Sequence, residues 1–430
     1  MSLENDFTAT MASFGPFEER PTLAVAISGG PDSMALLLLA ADWCHQQEGK
    51  VIALTVDHRL RETSTEEALQ VNQWVEERGI EHHILTWHHK DIITGIQKKA
   101  REERYRLMAD FCLQQGILHL LTAHHSQDQL ETFFQRLAQG SGLKGLQGIL
   151  PQKYMLFGRL LRPLLKIPPQ NLKDFLQEKK CPFLEDPSNT NPRFSRVRWR
   201  QLLPVLEKEG VTPQKLCFTL DFLHKDTHIL EEILTEALAR TTTFDSFGLA
   251  HVSITKLEHY SIDLIIHIFR HILKAISGED YPPKFEAVYR LVRRLNISDT
   301  ENKGPTTLQG CYIHKKKKEF LIGREYKVLK NKISIFNHEG IAVWDNRFKL
   351  TCSDSLLISK GQVRALGVEG IQILQKEDII PSSIPSPFLK TLPGIWINNK
   401  LIACPSLGWN LSKDIQISIS IMPKRRLTEN

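Results

Sequence analysis

Apolar positions in the first half of the chain fall into short runs that alternate with helical periods. Leu23 to Ile27 (L-A-V-A-I) is a compact apolar run, partly β-branched, with the length of one buried strand. Met34 to Ala41 is apolar throughout and follows a proline-bearing turn, which predicts a helix ending near Gly49. Val51–Val56, His82–Thr86 and Leu118–Ala123 repeat the strand pattern. Thr63–Arg78 and Gln97–Gln115 repeat the helical one, the first opening on the capping signature Ser64-x-x-Glu67. Strand and helix alternating in this rhythm specify a parallel, doubly wound sheet. Leu161–Leu165 and a proline-initiated helix over Pro168–Lys180 extend it.

The rhythm then changes. Pro213–Ala239, Ser261–Ser277 and Phe285–Leu295 read as helices, Asn302–Ile322 turns β-like, and Ile341–Met422 holds short strands and turns. A chain of 430 residues exceeds one ordinary core. The predicted organisation is a Rossmann-like α/β domain over 1–211, a helical domain over 212–300, a partly β connector over 301–340 and a small α+β domain over 341–430.

The turn behind the first strand, Ser28-Gly29-Gly30-Pro31-Asp32-Ser33, carries the chemistry. Gly29 and Gly30 are free to take positive φ and let backbone approach a ligand. Asp32 or Ser33 can cap the helix, whose free first-turn amides and dipole attract an anion. The spacing is neither G-x-x-x-x-G-K-[ST] nor G-x-G-x-x-G. The plain alternative is an ordinary tight turn.

Other candidates gather at predicted strand ends, where open α/β sheets bind ligands. Asp57 and His58 follow the second strand. Arg101 and Arg104 share one face of the basic helix. After the fourth strand, His124, Asp128 and Glu131 stand at i, i+4 and i+7, one stripe if helical, and Asp128 suits Mg²⁺ on nucleotide phosphates. Gly140–Gly148 reads as a mobile glycine-rich loop whose Lys144 can meet a phosphate. Arg193, Arg196, Arg198 and Arg200 interleave with Phe194 and Trp199, a mixture of phosphate contacts and stacking surfaces that suits unpaired RNA. Lys315–Lys318 is either a solvated hairpin edge or a second RNA contact. The adjacent histidines at 82–83 and 88–89 would point to opposite faces of a strand, and His224 and His228 have no further ligands nearby, so none of these pairs reads as a metal site.

Composition adds little. Formal charge is +6 and pI about 8.8, compatible with a nucleic-acid partner without requiring one. No signal peptide and no bilayer-spanning apolar run is visible, so a cytoplasmic protein without a membrane partner is expected. Seven scattered cysteines with no C-x-x-C pair suit a reducing compartment and argue against a cysteine-held cluster.

Taken together these segments resemble the tRNA(Ile)-lysidine synthetase family of N-type ATP pyrophosphatases. The matching stretches are S-G-G-P-D-S at Ser28, V-D-H-R-L-R at Val56, A-R-E-E-R-Y at Ala100, A-H-H-S-Q-D-Q-L-E-T at Ala123, G-S-G-L-K-G-L at Gly140, R-P-L-L at Arg162 and E-D-P-S-N at Glu185. They span Leu23–Leu206, with a weaker echo over Gly361–Gly408. The resemblance implies ATP-dependent adenylation of the wobble cytidine in a CAU anticodon, then attack by free L-lysine. It implies that Ser28–Ser33 holds the phosphates, with Asp57, Arg101, His124 and Asp128 near ATP, Mg²⁺ or the cytidine. Two positions depart from the family pattern: Gln127 stands where a second Asp is common, and Val197 where an Asn is common. Other readings are a tRNA thiolase, an ammonia-dependent ligase, or a tRNA-binding protein without catalysis. Homo-oligomerisation is left open.

Overall fold

The structure is a computed structural model that describes residues 2–60, 63–89, 95–185, 195–279, 281–295, 304–412 and 416–421. The chain forms two compact units, Met1–His228 and Ile229–Asn430.

The first unit is built on a six-stranded sheet of order β3-β2-β1-β4-β6-β5. Its strands are β1 (Thr22–Ala26), β2 (Lys50–Asp57), β3 (Glu81–Thr86), β4 (His119–Leu121), β5 (Gln152–Met155) and β6 (Gly158–Leu161). All run parallel except β5, which pairs antiparallel with β6. The helices are α1 (Leu3–Ser13), α2 (Pro31–Gln46), α3 (Ser64–Glu76), α4 (Ile96–Gln115), α5 (Ser126–Ala138), α6 (Leu143–Leu146), α7 (Pro169–Glu178), α8 (Ser195–Lys208) and α9 (Pro213–Thr241), the last running on into the second unit.

Both faces of the sheet are covered, which is why the strands read as continuous apolar runs. Leu23, Val25, Val51 and Ala53 pack with α1, α2 and α7 on one face. Ala24, Ile52 and Leu54 pack with Met108 and Cys112 of α4 on the other. Strands β2 and β3 lie on one side of β1 and β4 on the other, so the order reverses between β1 and β4. Ligands of such sheets bind in the crevice at that reversal, beyond the carboxyl ends of the strands. The turns leaving β1 and β4 flank it.

One local expectation changes, and two elements are new. The hydroxyl of Ser64 does not cap α3: Thr63 is the cap residue, and Ser64 donates to Asp57 instead. The β5–β6 hairpin was not foreseen, because Gln152, Lys153 and Tyr154 break the apolar alternation of an edge strand. Helix α1 was also missed. Glu4 and Asp6 mask two residues of its buried face, Phe7 and Met11.

In the second unit, β7 (Thr242–Phe244) and β8 (Ala250–Ser253) join β9 (Thr306–Leu308), β10 (Cys311–Lys316) and β11 (Glu319–Arg324) in one sheet. Helices α10 (Ile254–Leu257), α11 (Ile262–Ser277) and α12 (Phe285–Leu295) accompany it, and Phe269 of α11 packs edge-on to Phe320. The stretch read as a connector thus supplies three strands to a sheet shared with the helical region. Beyond it lie a five-stranded and a three-stranded sheet. Within the lysine run, Lys315 is buried over the Phe320 ring and Lys316 donates to the Ser383 carbonyl, so the run is not uniformly solvated.

Candidate active site

The turn after β1 is shaped by one glycine. Gly29 has φ +80°, and a β-carbon there would stand 2.4 Å from Val71 Cγ2 and 2.8 Å from Leu184 Cδ1. Its carbonyl accepts the Leu184 amide at 2.8 Å. Gly30 departs from expectation: its φ is −71°, extended, and it is itself the N-cap of α2, with Pro31 in the first turn. Ser33 is drawn into the turn rather than capping. Its hydroxyl donates to the Gly30 carbonyl at 2.9 Å and accepts the Ser28 amide at 3.1 Å. The result is a rigid loop ahead of a helix start that has no side-chain cap, an arrangement open to phosphate.

Across the crevice, the β4 turn brings His125 up to Asp32 and Asp128. Helix α5 begins at Ser126, so His124 lies outside it, with Nδ1 3.2 Å from Thr122 Oγ1. His125 is the N-cap residue and is buried. Its Nε2 stands 3.5 Å from Asp32 Oδ2 and 3.6 Å from Asp128 Oδ2, and its amide donates to Asp128 at 3.0 Å. Burial alone would lower the His125 pKa. The hydrogen bond to Asp32 and the charges of Asp128, Asp32 and Glu131 outweigh it and hold the ring above its ordinary value. The His125 ring therefore bridges the two sides of the crevice, between Asp32 and Asp128. Asp32 Oδ1 and His125 Nδ1 are buried without a hydrogen-bond partner among the described residues.

The β2 end is differently employed. Asp57 accepts the Arg59 amide at 3.0 Å and the hydroxyls of Ser64 and Thr65 at 2.8 Å each. Burial would raise its carboxyl, but the Arg59 amide, those hydroxyls and the Arg59 charge hold it below the usual range. It braces the β2–α3 turn. His58 accepts from Arg104 Nε at 3.1 Å, so its Nε2 is bare and the neutral ring carries its proton on Nδ1. Burial first, then the Arg104 charge, pushes the His58 pKa down to about 4. Arg101 is exposed and stacks over Tyr105, 5.2 Å from the ring centroid.

A family model described as "PP-loop domain" matches residues 3–206. A tRNA(Ile)-lysidine synthase of Orientia tsutsugamushi (strain Boryong) is 30% identical, the match covering 99% of this chain and 98% of that one. A tRNA(Ile)-lysidine synthase of Rickettsia felis is 31% identical over 93% of each chain. This chain belongs to the tRNA(Ile)-lysidine synthase family. Among solved structures, the U34-tRNA thiolase NcsA from Methanococcus maripaludis aligns with TM-score 0.45 and 18% identity, over 51% of this chain and 78% of that one.

The other site residues expected for a lysidine synthase are partly engaged with one another. Glu131 is fully buried and pairs with Arg200, both guanidinium contacts at 2.8 Å. Trp199 stacks on Phe134 at 5.4 Å and 19°, so that ring faces α5 rather than standing free. Arg198 is exposed on α8. Arg193 and the side chain of Arg196 lie outside the described residues. Residues 140–148 form not an open loop but a short helix, α6, bolted to α5. Arg136 donates to the Gly145 and Gly148 carbonyls at 2.7 Å each, and Gln129 exchanges two hydrogen bonds with the backbone of Ile149. Lys144 is exposed on α6.

Breaking the buried pair should be costly. Arg200→Ala leaves Glu131 charged and buried. Because Arg200 is itself 36% exposed, solvent trims the penalty, to about 2–3 kcal/mol. Chemical denaturation should report it, and Glu131→Gln with Arg200→Met should recover most of the loss. A double variant no better than Arg200→Ala would show that the pair's charge is not what holds α8.

Proposed function

We propose that this chain is a tRNA(Ile)-lysidine synthase that spends ATP to adenylate the wobble cytidine of a CAU-anticodon isoleucine tRNA and joins free L-lysine to it, releasing AMP and pyrophosphate. The observation that carries this reading is the meeting, at the sheet's reversal point, of the Ser28–Ser33 loop with His125, 3.5 Å from Asp32. A pyrimidine carbonyl is a poor electrophile and its oxygen a poor leaving group. Transfer of AMP to that oxygen makes it one, and much of the rest is positioning. Charge building on the phosphates meets the amides of the loop and α2 and the nearby His125 ring. Lysine attacks as the free amine, and a carboxylate at the crevice takes its proton.

Mg²⁺ fits this site as an ion held mainly by phosphate oxygens. Such an ion needs only one or two carboxylates from protein, and Asp32, with its unpartnered buried Oδ1, offers one. When bound, it offsets charge on the triphosphate. Asp128, first suspected, already accepts from the His125 amide and is the weaker choice.

A thiolase reading is disfavoured by the cysteines. Six of the seven are buried, and burial pushes the thiols of Cys44, Cys112, Cys311 and Cys404 up to about 12. No helix among the described residues is long and apolar enough to cross a membrane. The direct test supplies ATP, unmodified CAU-anticodon isoleucine tRNA and labelled lysine. Label in the RNA, matched by AMP, supports the reading. ATP use that depends on ammonium or sulfide instead overturns it.

His125 gives a pH signature. A raised folded pKa contributes stability that is complete below the unfolded value near 6.5 and lost as pH climbs through the folded one. The melting gap between parent and His125→Asn should therefore be widest below about pH 6.5 and shrink as pH rises above it. A gap independent of pH would deny the charged bridge.

A further inference from the structure

Helix α4 carries arginines of two kinds. Arg106 is neutralised on its own helix by Glu103 and Asp110. Arg101 and Arg104, one turn apart on another face, have no carboxylate within ion-pair distance among the described residues. Arg101 lies over the Tyr105 ring and Arg104 donates to His58. The choice of an imidazole is informative. A carboxylate at that place would orient Arg104 and cancel its charge. A neutral histidine orients the guanidinium through Nε and leaves the full positive charge for something else. The imidazole is kept in place by its surroundings: Trp87 meets it edge-on at 6.0 Å, and the His58 carbonyl accepts from His89 at 3.0 Å.

We infer that Arg104, oriented by His58 and joined by Arg101, forms a seat for a phosphodiester of the RNA strand that carries the target base, separate from the Ser28–Ser33 nucleotide loop. The inference rests on the proposed tRNA substrate. Guanidinium is the group suited to such an oxyanion, because its fork offers paired donors to one phosphate. The seat lies over the β2 end, on the far side of β1 from His125, where the strand can be gripped while the base reaches the crevice between β1 and β4. His58 is here a positioning residue: it acts only through Arg104.

The test is tRNA affinity as a function of salt, without ATP, alongside ATP affinity by calorimetry. Each phosphate contact contributes about one unit to the slope of log K against log salt. Arg104→Ala should lose about one unit and leave ATP affinity at the parental value. His58→Phe, which removes the acceptor, should lose part of that unit. His58→Gln, whose Oε1 replaces Nε2, should regain it. Arg106→Ala should match the parent. Lost ATP affinity with an unchanged tRNA slope would move the seat to the triphosphate and overturn the inference. So would an unchanged slope in a well-folded Arg104→Ala. A parent that binds no tRNA would instead overturn the substrate reading on which the inference stands.

Discussion

Gly29→Ala is expected to destabilise the protein by about 2–4 kcal/mol and to abolish ATP-dependent activity. Two costs add. A left-handed φ of +80° is unfavourable for alanine by about 1 kcal/mol. The new methyl would also overlap Val71 Cγ2 at 2.4 Å, and overpacking of a stiff β-branched neighbour adds about 1–3 kcal/mol. Val71 belongs to the core between α3 and the sheet, so relief can come only by shifting the loop, and with it the phosphate site. Gly30→Ala makes the control. At φ −71° its β-carbon would meet only Ser28 Oγ, at 3.6 Å, so its stability should stay near the parent's. Equal melting curves for both variants would show that the Gly29 conformation does not govern the loop.

Asp32→Asn should lower adenylate formation by about 10²–10³-fold, the scale of one preorganised electrostatic group, while tRNA affinity stays close to parental. Asp32 acts twice in this geometry. One oxygen faces the His125 ring, and the other is buried and free for a phosphate-bound metal ion. The amide keeps the shape and removes the charge. A second reading separates this from general damage: the His125 ring should titrate at lower pH in the variant, because a term that raises its pKa is gone. Parental rates of pyrophosphate exchange in Asp32→Asn would remove the residue from the chemistry.

The strand rhythm and the S-G-G-P-D-S turn were legible because both rest on local rules: apolar runs for strands covered on both faces, and glycine before a helix start. The part played by His125 was not. Two adjacent histidines look alike in sequence, and which one becomes the N-cap residue beside Asp32 depends on where α5 begins, a boundary of a single residue. The pairing of Glu131 with Arg200 was hidden for another reason. The partners stand 69 positions apart, and each alone looks like a free charge aimed at a ligand. The Trp199 contact was hidden in the same way, since stacking on Phe134 and stacking on a base call for the same side chain. The glycines of residues 140–148 suggested freedom, yet Gly148 is glycine because the Gln129 amide presses to within 2.4 Å of where a β-carbon would be.

Helix α5 has a consequence for how this protein can vary. Its first turn sets the His125–Asp128 contact, its middle holds Glu131 against α8, and Gln129 and Arg136 fasten residues 140–149. Glu131 thus faces two partners, acting on His125 through its charge and on Arg200 through a direct ion pair. Substitutions at 32, 125, 128, 131 and 200 should therefore combine non-additively, with coupling on the order of 0.5–3 kcal/mol in double-mutant cycles. Drift at these five positions is then a matter of permitted sets: a change harmful on one background is tolerated on another that already carries its complement, and single-site scans will understate how many sequences this site can accept.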